Sequence, residues 1–145
     1  MDFSTGLRVS ASGLSAQRMR MNTISSNIAN INTTRTPEGG PYRRKDVVFE
    51  AMPDARNFGE LVTSPPNDSI QRVQVTDVYS DQNAVDLRYE PDHPDANDEG
   101  YVAYPKINLM EEMANMIQAT RGYEANVSAI QATKDMALSA LEIGR

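Results

Sequence analysis

The sequence predicts an α+β protein that is mainly α, in which two long terminal helices pair as an antiparallel coiled coil beside a small β-rich middle segment. All eight prolines lie between Pro37 and Pro105, and seven of the nine aromatic residues lie between Tyr42 and Tyr104. Proline breaks helix interiors, whereas aromatic residues favour strands. Because the two flanks carry apolar residues at heptad spacing and lack proline, each can form one long helix.

The N-terminal flank carries apolar residues that recur every seven positions, with companion positions that become apolar toward its far end. This spacing places them on one stripe of a helix of about four heptads. The predicted seam residues of this flank are Leu7, Leu14, Met21, Ile24, Ile28 and Ile31.

The C-terminal flank continues this pattern from Lys106 to Ile143 with no proline and a single glycine, Gly122. Asn108 stands three residues before Glu111, which predicts an N-cap at that point. A helix of this extent would be about 57 Å long at 1.5 Å per residue. Its predicted seam residues are Val127, Ile130, Leu138 and Leu141.

The middle segment contains short stretches that are typical of strands, separated by turn-rich pieces. The predicted strands lie at residues 47–49, 73–76, 85–89 and 101–104. Residues 1–36 and 106–145 are therefore predicted to form a discontinuous coiled-coil domain, and residues 37–105 a β-hairpin and loop-rich segment. The middle has too few apolar residues to cover both helical stripes, so this pattern favours packing on other molecules over a small self-contained bundle.

Composition excludes several classes of function. The chain has no cysteine and a single histidine, His93, which excludes thiolate chemistry and multi-histidine metal sites. The net charge is −6, and residues 37–105 alone carry six basic and fourteen acidic side chains. A nucleic-acid binder would show a basic face instead. We also expect no membrane-spanning segment, since no apolar run reaches about 18 residues, and no cleaved secretory signal.

Candidate chemical sites are sparse, and the sequence predicts no catalytic residues, metal site or cofactor. Residues 95–100 match the first half of a calcium loop, but its twelfth position, where a glutamate is needed, is Lys106. His93 lacks a partner nucleophile in any recognisable setting. The basic run Arg43, Arg44 and Lys45 is a candidate charged contact, and an acidic protein suits it better than nucleic acid does.

Several long stretches together resemble a known family. The segments SASGLSAQRMRMNTISSNIANINTTRT and GGPYRRKDVVFEAM resemble the N-terminal signature of the bacterial flagellar rod and hook proteins. The segments YEPDHPDANDEGYVAYPKINLMEEM and ATRGYEANVSAIQATKDMALSALEIGR resemble the proximal-rod members of that group. The resemblance covers about two thirds of the chain, and residues 56–83 match least.

The resemblance implies a non-enzymatic structural protein that polymerises into the rod of the flagellar basal body, in the periplasm, and transmits torque. It implies export through the flagellar type III apparatus without a cleaved signal peptide. The implied partners are copies of the chain itself, the rod proteins FlgB, FlgF and FlgG, the FliE adaptor and the MS ring. Its terminal helices would line the inner tube, with the β-rich part outside.

Carried onto this chain, the family's assembly motif falls on two groups of residues. They are Ser26, Asn27, Ile28, Ala29, Asn30, Asn32 and Thr33, and Glu112, Met113, Met116, Arg121, Tyr123, Glu124, Ala125 and Asn126. Three asparagines at one helix end exceed what capping requires, so we expect an inter-subunit joint there. Two alternatives remain open at this point: a soluble coiled-coil adaptor or secretion chaperone, and a calcium-binding module at residues 91–106.

Overall fold

The computed structural model describes residues 3–53, 71–81 and 84–144. Along the chain, one long helix precedes four strands and a second long helix follows them. The elements, in order, are helix α1 (Phe3–Ala29), strands β1 (Lys45–Pro53), β2 (Gln71–Ser80), β3 (Val85–Tyr89) and β4 (Tyr101–Pro105), and helix α2 (Leu109–Ile143). The predicted α+β, mainly helical fold class is confirmed. Residues 56–70, 82 and 83 of the weakly matching stretch lie outside the described residues.

The two helices pack side by side in opposite directions. Asn27, near the end of α1, donates a hydrogen bond to Glu112, in the first turn of α2. Thr120 of α2 lies 3.7 Å from the sulfur of Met21. Nearer the start of α1, a Cβ added at Gly13 would lie 2.8 Å from Oδ1 of Asn126. Residue numbers fall along α2 as they rise along α1, so the pair is antiparallel.

Side chains fix where each helix begins and ends. Asn108 caps α2 by accepting a hydrogen bond from the backbone N–H of Met110 at 3.0 Å, as its position predicts. At the other joint, Nδ2 of Asn30 donates to the Ser26 carbonyl at 2.8 Å and satisfies a carbonyl of the last turn. The helix α1 therefore ends at Ala29. Ile31, predicted as a seam residue, lies in the turn beyond the helix.

The strands form two separate two-stranded antiparallel sheets. The β1–β2 ribbon pairs Lys45 with Ser80 and has a register shift between Val48 and Phe49. It packs on α1, where Oγ of Ser12 accepts a hydrogen bond from the backbone N–H of Val73 at 3.2 Å. The β3–β4 hairpin pairs Val85 with Pro105. The predicted strand segments are present, in two sheets.

The buried residues are concentrated at one end of the helix pair. In α1 they are Ala16, Ile24 and Asn27, and in α2 they are Glu112 and Ala119. The middle segment also contains buried residues, among them Tyr42, Ala84 and Val102. From residue 120 to residue 144 no side chain is buried. We call the end of the helix pair that contains these buried residues the packed end. The opposite end, which contains the start of α1 and the part of α2 after residue 120, is the open end. No described helix has the length and apolar content needed to cross a membrane.

Candidate assembly site

The side-chain amide of Asn27 is the centre of the packed end. Its Nδ2 donates to the carbonyl oxygen of Lys45 at 2.8 Å and to Oε2 of Glu112 at 3.1 Å. Its Oδ1 accepts from the backbone N–H of Lys45 at 3.0 Å and from the Tyr42 hydroxyl at 3.1 Å. Both amide hydrogens and both acceptor positions are thus used. One residue thereby ties α1 to β1, to the preceding loop and to α2.

Glu112 is the acidic partner in this joint, and only 1% of it is exposed. Its Oε1 accepts a hydrogen bond from Nε of Arg44 at 2.9 Å, and Arg44 also contacts Asp46 at 3.3 Å. Desolvation by itself lowers the pKa of Arg44, but the hydrogen bond and charge of Glu112, together with Asp46, raise it above its ordinary value. A carboxylate in the first turn of a helix is also stabilised by the helix dipole.

The three asparagines at the end of α1 have different roles. Asn27 is buried and saturated by contacts within the chain. Asn30 caps the helix and accepts a hydrogen bond from Oγ1 of Thr33 at 3.2 Å. Asn32 is exposed. The inter-subunit joint that we expect at these asparagines stays a prediction; Asn32 is the one whose side chain is exposed, while the amides of Asn27 and Asn30 make hydrogen bonds within the chain.

The remaining motif residues divide in the same way into internal and surface positions. Asn126 donates to the carbonyl oxygen of Gly122 at 2.8 Å and faces Gly13 across the helix pair. Ser26 lies within hydrogen-bonding distance of the Tyr42 hydroxyl. Ile28, Thr33, Met116 and Tyr123 are half-buried. The exposed motif residues are Ala29, Asn32, Met113, Arg121, Glu124 and Ala125.

The predicted seam residues differ in exposure along the helix pair. Ile24 is buried, and Leu7, Leu14, Met21, Ile28, Val127 and Ile130 are half-buried. Leu138 is 50% exposed and Leu141 is 71% exposed. Their membership of the seam stays a prediction. The single chain leaves both residues largely exposed because α1 has 27 residues and α2 has 35, so the last turns of α2 extend beyond the partner helix.

Two groups of exposed apolar residues, one on α2 and one between the two helices, make surfaces that the single chain leaves uncovered. Met110, Met113 and Ile117 are 73%, 49% and 56% exposed and follow the three- and four-residue spacing of one helix face. We call them the N-terminal stripe. At the open end, Met136, Leu141 and Phe3 line an apolar groove of about 700 Å³ between the helices. Such surfaces mark interaction sites.

A polar cleft lies beside the joint, where the loop after α1 meets β1. Its volume is about 560 Å³, and its charged lining residues are Arg35, Glu38, Arg43 and Lys45. We call it the basic cleft. Only two members of the predicted basic run belong to it, since Arg44 is engaged by Glu112. The third basic residue of the cleft is Arg35, which was not predicted from the sequence as a charged contact.

The acidic loop of residues 91–100 is held against the chain through Asp95. Its carboxylate accepts a hydrogen bond from Oγ1 of Thr34 at 2.8 Å and lies 3.9 Å from Arg35. Nδ1 of His93 accepts from the backbone N–H of Asp95 at 3.1 Å. These contacts hold Asp95 and His93 in place within a turn. Among the described residues, no group of three or more potential ligands is arranged to hold a metal ion.

Sequence reasoning missed the roles of Tyr42 and Arg44 and the internal use of Glu112. A signal for Glu112 was present, because a carboxylate at position 112 stands seven residues before the buried Ala119, on the apolar side of α2. A charge at such a position needs a partner. Nothing in the sequence around Tyr42 or Arg44 shows that these residues lie beside Glu112 in the fold.

Comparisons with known proteins point to one family. Residues 7–35 match the family model described as flagella basal body rod protein, and residues 98–143 match the one described as flagellar basal body rod FlgEFG protein C-terminal. A flagellar basal-body rod protein FlgC from Borreliella burgdorferi is 42% identical over 99% of this chain and 98% of its own length. Proteins of that name from Bacillus subtilis and Salmonella typhimurium are 43% and 35% identical, over 96% and 94% of both chains.

Proposed function

The chain belongs to the FlgC family of flagellar basal-body rod proteins and is a structural component of the rod, and we propose that it occupies the proximal segment. It is not an enzyme. In the rod it assembles with other rod proteins, which we propose to be further copies of itself and FlgB, FlgF and FlgG. We also propose that it meets the FliE adaptor and the MS ring, and that it reaches the periplasm through the flagellar type III export apparatus without a cleaved signal.

We propose that residues 1–36 and 106–145 form the wall of the inner tube and that residues 37–105 lie outside it. The exposed apolar residues of α2 are the single observation that carries this proposal. Burying them against neighbouring subunits supplies free energy for assembly at roughly 25 cal/mol per Å² of apolar surface. The thin packing of the open end also suits export, because long helices with little tertiary packing are marginal in water.

The two alternatives lack support. The relatives described above are named flagellar basal-body rod proteins and match nearly the whole chain, which supports the structural role over an adaptor or a chaperone. The calcium module would need Asp95 as a ligand, but Thr34 and Arg35 already engage its carboxylate.

Substitution of the N-terminal stripe tests the proposal. Ile117→Asp should leave the helicity of the purified chain unchanged, because this side chain is already 56% exposed, yet should block rod formation. A carboxylate buried at a subunit contact costs several kcal/mol unless it is paired. The measurement is complementation of a strain lacking the gene, with electron microscopy of basal bodies and a swimming assay.

Gln118→Asp is the matched control, since it adds the same charge at the neighbouring exposed position, about 100° around the helix. It should retain more assembly than Ile117→Asp. If Ile117→Asp still forms normal rods, the N-terminal stripe is not part of the assembly surface. Intact rods in the strain that lacks the gene would overturn the structural role itself.

A further inference from the structure

The basic cleft has the composition of a site for carboxylates. Its lining contains Arg35, Arg43, Lys45 and Glu38, a net charge of +2, and Asp95 lies outside the lining at 3.9 Å from Arg35. Asn30, Thr33, Thr36 and Ser80 add polar groups to its walls. Guanidinium and ammonium groups form their strongest hydrogen bonds with carboxylates and phosphates. The chain is acidic overall, with a net charge of −6, which disfavours a polyphosphate partner such as nucleic acid.

Two cationic side chains of the cleft, those of Arg35 and Lys45, make only weak contacts within the chain. The Arg35 side chain is 82% exposed and reaches only one edge of Asp95, at 3.9 Å. Nζ of Lys45 lies 5.8 Å from the centre of the Tyr42 ring, whose hydroxyl is fixed by Asn27. An exposed ion pair of this length contributes little stability, about 1 kcal/mol at most. Arg35 can therefore take a second carboxylate at small cost.

The chain also carries a complementary acidic element, the loop of residues 91–100. Four of its ten residues are acidic and none is a lysine or an arginine. Asp95 is used within the chain, whereas Asp92, Asp98 and Glu99 are exposed. Within residues 84–144 and the other described ranges, no hydrogen bond or ion pair engages these three carboxylates.

The loop presents these carboxylates on a fixed backbone. Oδ1 of Asn97 accepts from the backbone N–H groups of Glu99 at 3.1 Å and of Tyr101 at 2.7 Å. Gly100 has a φ of +82°, and an added Cβ would lie 2.9 Å from the Tyr89 ring, so glycine is required there. At the N-terminal side of the loop, the Tyr104 hydroxyl donates a hydrogen bond to the Glu90 carboxylate at 3.0 Å. This hydrogen bond raises the pKa of Tyr104. A pre-ordered loop loses little conformational entropy on binding.

We infer that the acidic loop of one copy of this chain binds in the basic cleft of the next copy. The inference rests on the proposed function, because only a polymer brings copies into regular contact. A contact in which each copy gives its loop to the cleft of the next copy is head-to-tail. Contacts of this kind need not close, and they then build a helical array. The same chemistry already operates within one chain, where Asp95 of the loop meets Arg35 of the cleft.

Thiol crosslinking between two separately expressed variants tests the contact in intact rods. The natural chain has no cysteine, so every thiol would be an introduced one. We expect a bismaleimide to join R35C copies and D98C copies into a covalent dimer only when both are present in the same rod. The spacer of the reagent replaces the length of the two side chains that are removed, because a direct disulfide would need Cα atoms about 4.4–6.8 Å apart. K45C with E99C provides an independent second pair.

The control is E50C with D98C, because Glu50 is exposed on β1 and does not line the cleft. Rods that assemble from either cleft pair but give no dimer above this control would overturn the inference while leaving the structural role intact. Failure of the unsubstituted chain to restore rods would instead overturn the proposed function. A charge exchange, K45E combined with D98K, should restore the swimming that K45E alone loses.

Discussion

At the scale of single residues, the joint depends on one amide that joins distant parts of the chain. Asn27 contacts Glu112, 85 positions away, and Lys45, 18 positions away. A buried amide with all of its hydrogen-bonding positions used is difficult to replace, because each lost bond leaves a buried partner unsatisfied. This explains how a polar residue can occupy the centre of the packed end.

Replacement of Asn27 should therefore be costly. In Asn27→Ala, Tyr42, Lys45 and Glu112 lose partners, and each buried unsatisfied group costs about 1–3 kcal/mol. We expect a loss of about 3 kcal/mol or more in the free energy of unfolding, measured by thermal melting of the purified chain with circular dichroism. Asn32→Ala is the control, since an exposed residue of the same type should change stability by less than about 0.5 kcal/mol. Equal losses in the two variants would refute the role of Asn27.

At the scale of elements, the helix pair is uneven along its length. Ile24, Asn27, Glu112 and Ala119 are buried at the packed end, whereas no side chain of α2 after Ala119 is buried up to residue 144. Helices gain most of their stability from tertiary packing. The open end of an isolated chain should therefore fray while the packed end stays folded.

Native-state hydrogen exchange resolves this difference residue by residue. Amides of residues 16–27 and 112–120 should exchange slowly, near the rate set by global unfolding. Amides of residues 3–12 and 130–143 should exchange rapidly, through local opening of low free energy. Uniform slow exchange along both helices would show that the isolated chain needs no partner to order its open end.

The sequence predicts the elements better than their contacts. Proline exclusion and heptad spacing locate both helices, and the short strand-like stretches at residues 85–89 and 101–104 locate β3 and β4 closely. Those signals are local. The separation into two sheets depends on pairing between distant strands, and the use of Asn27 depends on a residue 85 positions away. The exposure of Leu138 and Leu141 depends on the relative lengths of the two helices, which a repeat within one flank does not reveal.

At the scale of the whole molecule, the subunit carries two kinds of unsatisfied surface. Its apolar surfaces lie on the helices, at the N-terminal stripe and the open end, and its charged surfaces lie on the middle segment. Apolar contacts between helices would supply most of the free energy of assembly. Charged contacts between the outer segments would set the orientation of each copy, because electrostatic complementarity contributes mainly to specificity.

Oxidative footprinting of methionines in free chain and in isolated rods tests the central claim most directly. Met110, Met113 and Met136 are 73%, 49% and 64% exposed in the single chain, and Met52 of β1 is 38% exposed. Conversion to the sulfoxide can be followed at each site by mass spectrometry. Assembly should protect the three helix methionines and leave Met52 reactive. Equal oxidation of Met110, Met113 and Met136 in rods and in the free chain would contradict burial of the α2 surface in the rod.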